Sequence, residues 1–140
     1  TKGISCLPII ESLSSSGIKL NVTAMMTVDQ VKTVLPALEV GPGGYVSVFA
    51  GRIADAGIDP LPIMKEVVEL IGDSRTIELI WASPRELYNV VQADQIGCHI
   101  ITATNDILRK LPTLGKDLTQ FSLETVKMFY DDATAAGYSV

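Results

Sequence analysis

Four short apolar runs in this sequence end in residues with usable polar chemistry. Asn21 and Thr23 occupy alternate positions of the first run, hence one face of an extended strand. Ser47 and Phe49 do the same in the second, followed by Gly51, Arg52 and, three residues on, Asp55. Trp81 and Ser83 close the third, and Thr102 closes the fourth, with Thr104 and Asn105 in the turn beyond. Polar groups on inward faces are costly unless paired, so their recurrence at four strand ends points to a lined pocket. A glycine just before Arg52 lets the backbone turn and presents a guanidinium that can hold phosphate through two parallel hydrogen bonds. Plainer readings stand beside these. Asn21 and Thr23 could form a structural pair capping a turn, Arg52 an exposed ion pair with Asp55, and Trp81, the only tryptophan, a piece of the core.

Other chemistries are poorly supplied. The single histidine, His99, falls early in its strand and reads as structural, which leaves no Ser/His/Asp arrangement. No cluster has metal-ligand spacing. Gly41-Pro42-Gly43-Gly44 precedes a strand rather than a helix, so it is a turn and not a phosphate loop. A net charge of −5 offers no basic footprint for nucleic acid. No apolar run approaches the ~20 residues that span a bilayer, so no membrane partner is expected. Cys6 and Cys98, far apart in sequence, fit free thiols in a reducing, cytoplasmic setting.

The elements that must position the strand ends follow from apolar spacing. Helices are expected over 4–16, 27–38, 60–71, 84–93, 105–110 and 118–136, and strands over 18–25, 45–50, 76–81 and 98–102. Pro36 weakens the end of the second helix, Pro84 suits the first turn of the fourth, and 50–55 reads as a loop. A hydrophobic share of 47% against 19% charged fits one folded domain over 1–140. Apolar strands alternating with helices imply an α/β fold with a parallel sheet and right-handed crossovers. Two architectures satisfy this pattern. One is a small doubly wound domain; the other is half of a (β/α)8 barrel, since four units of about 30 residues make half of a ~250-residue barrel.

The strand ends resemble those of the transaldolase family, in particular its short branch that includes fructose-6-phosphate aldolase. Asn21-Val22-Thr23, within residues 17–26, looks like the family's fifth strand. Phe49-Ala50-Gly51-Arg52, within residues 45–57, looks like its sixth strand and following loop, the most specific match. Trp81-Ala82-Ser83-Pro84-Arg85 is similar to the seventh, with Pro84 where the family has an apolar residue, and 97–102 resembles the eighth. The resemblance implies a partial (β/α)8 TIM barrel, strands 5–8 with their helices. It implies a parent that acts on ketose phosphates in carbohydrate metabolism, the pentose phosphate pathway included. Such a parent would be a dihydroxyacetone transferase or an aldehyde-lyase, working through a lysine Schiff base and needing no cofactor.

On this resemblance Thr23 would hold the proton-shuttling water, and Asn21 would contact the dihydroxyacetone unit. Ser47 and Phe49 would line the sugar pocket. Trp81 and Ser83, from their place at the end of the third run, are further substrate-binding candidates, the tryptophan as a pocket wall. Arg52 would bind the phosphate, supplemented by Arg85. The family's lysine lies upstream of the first helix, in a segment this chain does not contain, and Lys2 at the helix start is a poor substitute. The chain alone is therefore expected to be an inactive truncated form that hides its open edges by self-association, as a half-barrel dimer for example. A phosphate-binding barrel isomerase or epimerase is a further reading, but it calls for strand-end carboxylates and only Asp55 is available. A non-catalytic half-barrel is another.

Overall fold

Pro8 in its first turn and Gly17 just past its end bracket the first helix, α1 (Leu7–Ser15). Gly17 takes φ +81°, and the N–H groups of Gly17 and Ile18 donate to the Ser14 and Leu13 carbonyls at 2.9 and 3.1 Å, a left-handed stop. After strand β1 (Leu20–Met25), helix α2 (Val28–Glu39) starts on a reciprocal cap. The Gln30 N–H donates to Thr27 Oγ1 at 3.3 Å, while Gln30 Oε1 accepts from the Thr27 N–H at 3.1 Å. α2 continues through Pro36: the carbonyl that loses its partner belongs to exposed Lys32, while Ala37 and Leu38 beyond it remain buried. The order then runs β2 (Gly44–Val48), α3 (Ala50–Asp55), α4 (Leu61–Ile71), β3 (Ile77–Trp81), α5 (Tyr88–Gln95), β4 (Ile100–Ile101), α6 (Asn105–Lys110) and α7 (Leu118–Ala135).

Two expected boundaries change. Residues 50–55 form helix α3 rather than a loop; six residues are too few to show a helical period. α5 begins at Tyr88 and not at Pro84, because Asn89 Oδ1 accepts from the N–H groups of Arg85 (2.7 Å) and Glu86 (3.2 Å) and holds them outside the helix.

The computed structural model describes residues 3–138, so Lys2 falls outside it. The described residues divide into two compact units, the first ending at Leu108 and the second beginning at Arg109. The first contains the sheet, parallel throughout, in the order β1-β2-β3-β4. Sequential order lacks the reversal that marks a doubly wound sheet. The core lies on one face, where Val31, Leu38, Met64 and Val67 of α2 and α4 meet Val46, Val48, Leu79 and Trp81. Alternate positions put Asn21, Tyr45, Ser47, Glu78 and Ile80 on the other face, outside that cluster. α1 is tied to α2 by buried Ser14, whose Oγ donates to the Leu38 carbonyl at 3.3 Å.

In the second unit Asp117 caps α7, its Oδ1 accepting from the Gln120 N–H at 2.8 Å, and none of the helix's residues is buried. Among the described residues no helix is long and apolar enough to cross a membrane.

Candidate functional site

The strand ends are knitted together by a hydrogen-bond ladder that runs past the regular strands. The Phe49 N–H donates to the Met25 carbonyl (2.8 Å), Ala82 N–H to Val48 (2.9 Å), and Thr102 N–H to Trp81 (3.1 Å). β1 is irregular at its end: Val22 pairs with Val46 but Met25 with Val48, so two residues, Thr23 and Ala24, oppose Ser47 alone. Ala24 takes φ +65° in this bulge, and Ser83, at the end of β3, takes φ +57°. Both are strained for residues with a Cβ, and both sit where the chain leaves the sheet.

Asn21 and Ser47 meet across β1 and β2: the Ser47 Oγ donates to Asn21 Oδ1 at 2.7 Å. Ser47 is 4% exposed whereas Asn21 is exposed, so the bond fixes an amide at the edge of solvent. Phe49 follows Ser47 at an alternate position, half-buried and outside the hydrophobic core cluster.

The closest approach in the region is between α3 and the chain leaving β3. A Cβ built on Gly51 would lie 1.6 Å from the Ser83 carbonyl oxygen and 3.2 Å from Arg85 Nε, so only glycine fits. Arg52, next in α3, is exposed and has no side-chain hydrogen bond or ion pair among the described residues. Its expected partner, Asp55, is taken by Arg85. Arg85 Nε donates to Asp55 Oδ1 at 3.1 Å, and an Arg85 terminal N–H donates to Asp55 Oδ2. Ser83, Pro84 and Arg85 line a cavity of about 350 Å³ with Thr102, Ala103 and Thr104. Pro84 is buried and does not keep Arg85 from that wall.

The expected site residues thus fall into separate groups. Thr23 lines a second cavity of about 250 Å³, with Cys6 and Ile10 on the α1 side and Gln30 and Thr33 on the α2 side, while Asn21 pairs with Ser47 instead of Thr23. Trp81 packs into the core. It is 1% exposed, on the helix-covered face with Leu79, because it keeps that residue's phase along β3; its buried indole N–H has no acceptor among the described residues. His99 is structural, its Nδ1 accepting from the Leu79 N–H at 3.1 Å. Both cysteines are free, and burial pushes the Cys98 thiol pKa up. Spacing alone could not reveal the Asp55–Arg85 pair, which joins positions thirty residues apart.

The chain is similar to three proteins each described as "Probable transaldolase". It is 33% identical to one from a Thermoanaerobacter species over 135 residues, 96% of this chain and 58% of that protein. It is 36% identical to one from Methanococcus maripaludis over 73% of this chain and 46% of that protein. It is 35% identical to one from Clostridium acetobutylicum over 84% of this chain and 53% of that protein. The chain therefore spans about half the length of these relatives. The family model for transaldolase/fructose-6-phosphate aldolase matches residues 3–140, which include all four strand ends described above. On that match the chain belongs to the transaldolase/fructose-6-phosphate aldolase family.

Proposed function

We propose that this chain forms the phosphate end and part of the sugar wall of a ketose-phosphate site in a transaldolase-type (β/α)8 barrel. β1 to β4 would be the barrel's last four strands. The observation that carries this reading is the contact of Gly51 with the Ser83 carbonyl, which brings the helix bearing Arg52 against the chain bearing Ser83 and Arg85. Two guanidinium groups and a hydroxyl from neighbouring strand ends suit a terminal phosphate. The Asn21–Ser47 pair offers an oriented amide to sugar hydroxyls, and Phe49 offers an apolar surface beside it.

In the reaction a lysine amine outside this chain would condense with the ketose carbonyl. The protonated imine would then accept the electron pair released when the bond between its α- and β-carbons breaks, leaving an enamine. The β-hydroxyl would give up its proton, and that fragment would depart as an aldehyde. The residues here hold the substrate in place, and Thr23 would bind the water that relays the proton at the imine. Lys110 precedes Leu111-Pro112 in a Lys-x-Pro order, but it ends helix α6 rather than a strand and is a poor candidate for that amine.

Borohydride reduction in the presence of fructose 6-phosphate tests the proposal. A longer form carrying the upstream lysine should gain one covalent adduct by mass spectrometry, and this chain none. An adduct on any lysine of this chain, or no adduct on the longer form, would sink it.

A further inference from the structure

We propose that Asp55 is a positioning residue for anion binding, holding the Arg85 guanidinium at the wall of the strand-end cavity. This deepens the phosphate-end reading and rests on it. Arg85 lines the cavity together with Ser83, Thr102 and Thr104, and its guanidinium is already engaged by Asp55, which is not itself a lining residue. Asp55 accepts from the Nε–H and from one terminal N–H, the side-on pair of a bidentate contact. A guanidinium has five N–H donors, so about three remain for a second acceptor.

Two further features hold the geometry. The missing Cβ of Gly51 leaves room for Nε, which would otherwise sit 3.2 Å from it, so the guanidinium lies over the first turn of α3. The Arg85 N–H donates to Asn89 Oδ1 at 2.7 Å, fixing the base of the same side chain. Both partners are about half exposed, 48% for Arg85 and 49% for Asp55, so the pair adds little to folding stability. What it offers is order. A long, flexible side chain that must be immobilised to bind a ligand is immobilised beforehand.

Two effects of Asp55 oppose each other, which makes the sign informative. Its negative charge repels an anion, so if charge alone mattered, removing it would tighten binding. Positioning predicts the reverse. The test is titration of the isotope-labelled 140-residue chain with inorganic phosphate, followed by amide and Arg85 Nε–H resonances in NMR. Asp55→Ala should weaken phosphate binding about three- to tenfold and speed exchange of the Arg85 Nε proton with water. Asp55→Asn, which keeps the shape, should fall between. In an Arg85→Ala background Asp55→Ala should cause no further loss.

Unchanged or tighter binding in Asp55→Ala, or a full extra loss in the Arg85→Ala background, would overturn the proposal. The reading beneath it is separated by Arg52→Ala. If Arg52→Ala abolishes phosphate binding while Asp55→Ala does nothing, only the positioning role fails. If the unaltered chain shows no Arg52-dependent phosphate shifts, the phosphate end itself is wrong and the positioning role falls with it.

Discussion

A Cβ on Gly51 would meet the carbonyl oxygen of Ser83, a backbone atom with no flexible end that could give way. Gly57 makes a useful comparison: it has φ +77° but nothing within 4 Å of its would-be Cβ. Gly57→Ala should cost only the left-handed backbone strain, about 1 kcal/mol. Gly51→Ala must separate α3 from the end of β3 and should cost about 2–3 kcal/mol. Urea midpoints of the two variants decide this; equal shifts would mean that the close approach is not a constraint. Cys98 gives a second residue-scale prediction. Desolvation raises its thiol pKa in the fold, so the folded state holds that proton more tightly than the unfolded chain. The associated stability is present below the ordinary thiol pKa and is lost as pH climbs above it. From about pH 8 to about pH 10, a window around the ordinary thiol pKa, the unaltered chain should therefore lose stability relative to Cys98→Ser, and parallel curves from urea titrations would refute it. The polar strand-end residues are legible in the sequence because alternation places them. The bulge at Thr23 and Ala24 is not, since alanine carries none of the signal that a glycine in the left-handed region would give.

The elements are legible where a run is long enough to show a period. α2 and α4 have buried residues at helical spacing, and the four strands stand out as apolar runs between them. α3 escapes because six residues make under two turns, and its two buried apolar positions, Ala50 and Ile53, match a strand-to-loop passage equally well. The start of α5 is masked because Pro84 satisfies the rule for a first turn, whereas the side chain of Asn89 settles the matter from further along. The cap of α2 joins Thr27 to Gln30 three residues on, through one bond in each direction. Thr27→Ala should destabilise the sheet-bearing unit by about 1 kcal/mol. For a unit near 100 residues that corresponds to a midpoint lower by about 4 °C in calorimetry. A midpoint unchanged within about 1 °C would show that water replaces the hydroxyl at no cost.

At the scale of the whole molecule, what sequence pattern leaves open is the choice between a doubly wound sheet and a barrel portion. The strand order and one-sided core favour the second, and the family match points the same way. Parallel sheets are ordinarily covered on both faces and have protected edges. Here, among the described residues, β1 and β4 each have one edge with no strand beside it, and the face bearing Asn21, Tyr45, Ser47 and Glu78 lies outside the core cluster. The chain also spans only 46–58% of the relatives compared above. A sheet in this condition should pair with a second copy. Size-exclusion with light scattering should then give about twice the one-chain mass at micromolar concentration, falling on dilution. α7 supplies a competing cause, because Phe121, Val126, Phe129 and Tyr130 are all exposed along it. A variant ending at Leu114 separates the two. If association is through the sheet, the shortened chain still dimerises; if it becomes a monomer, the sheet edges are tolerated in water and α7 alone drives the contact.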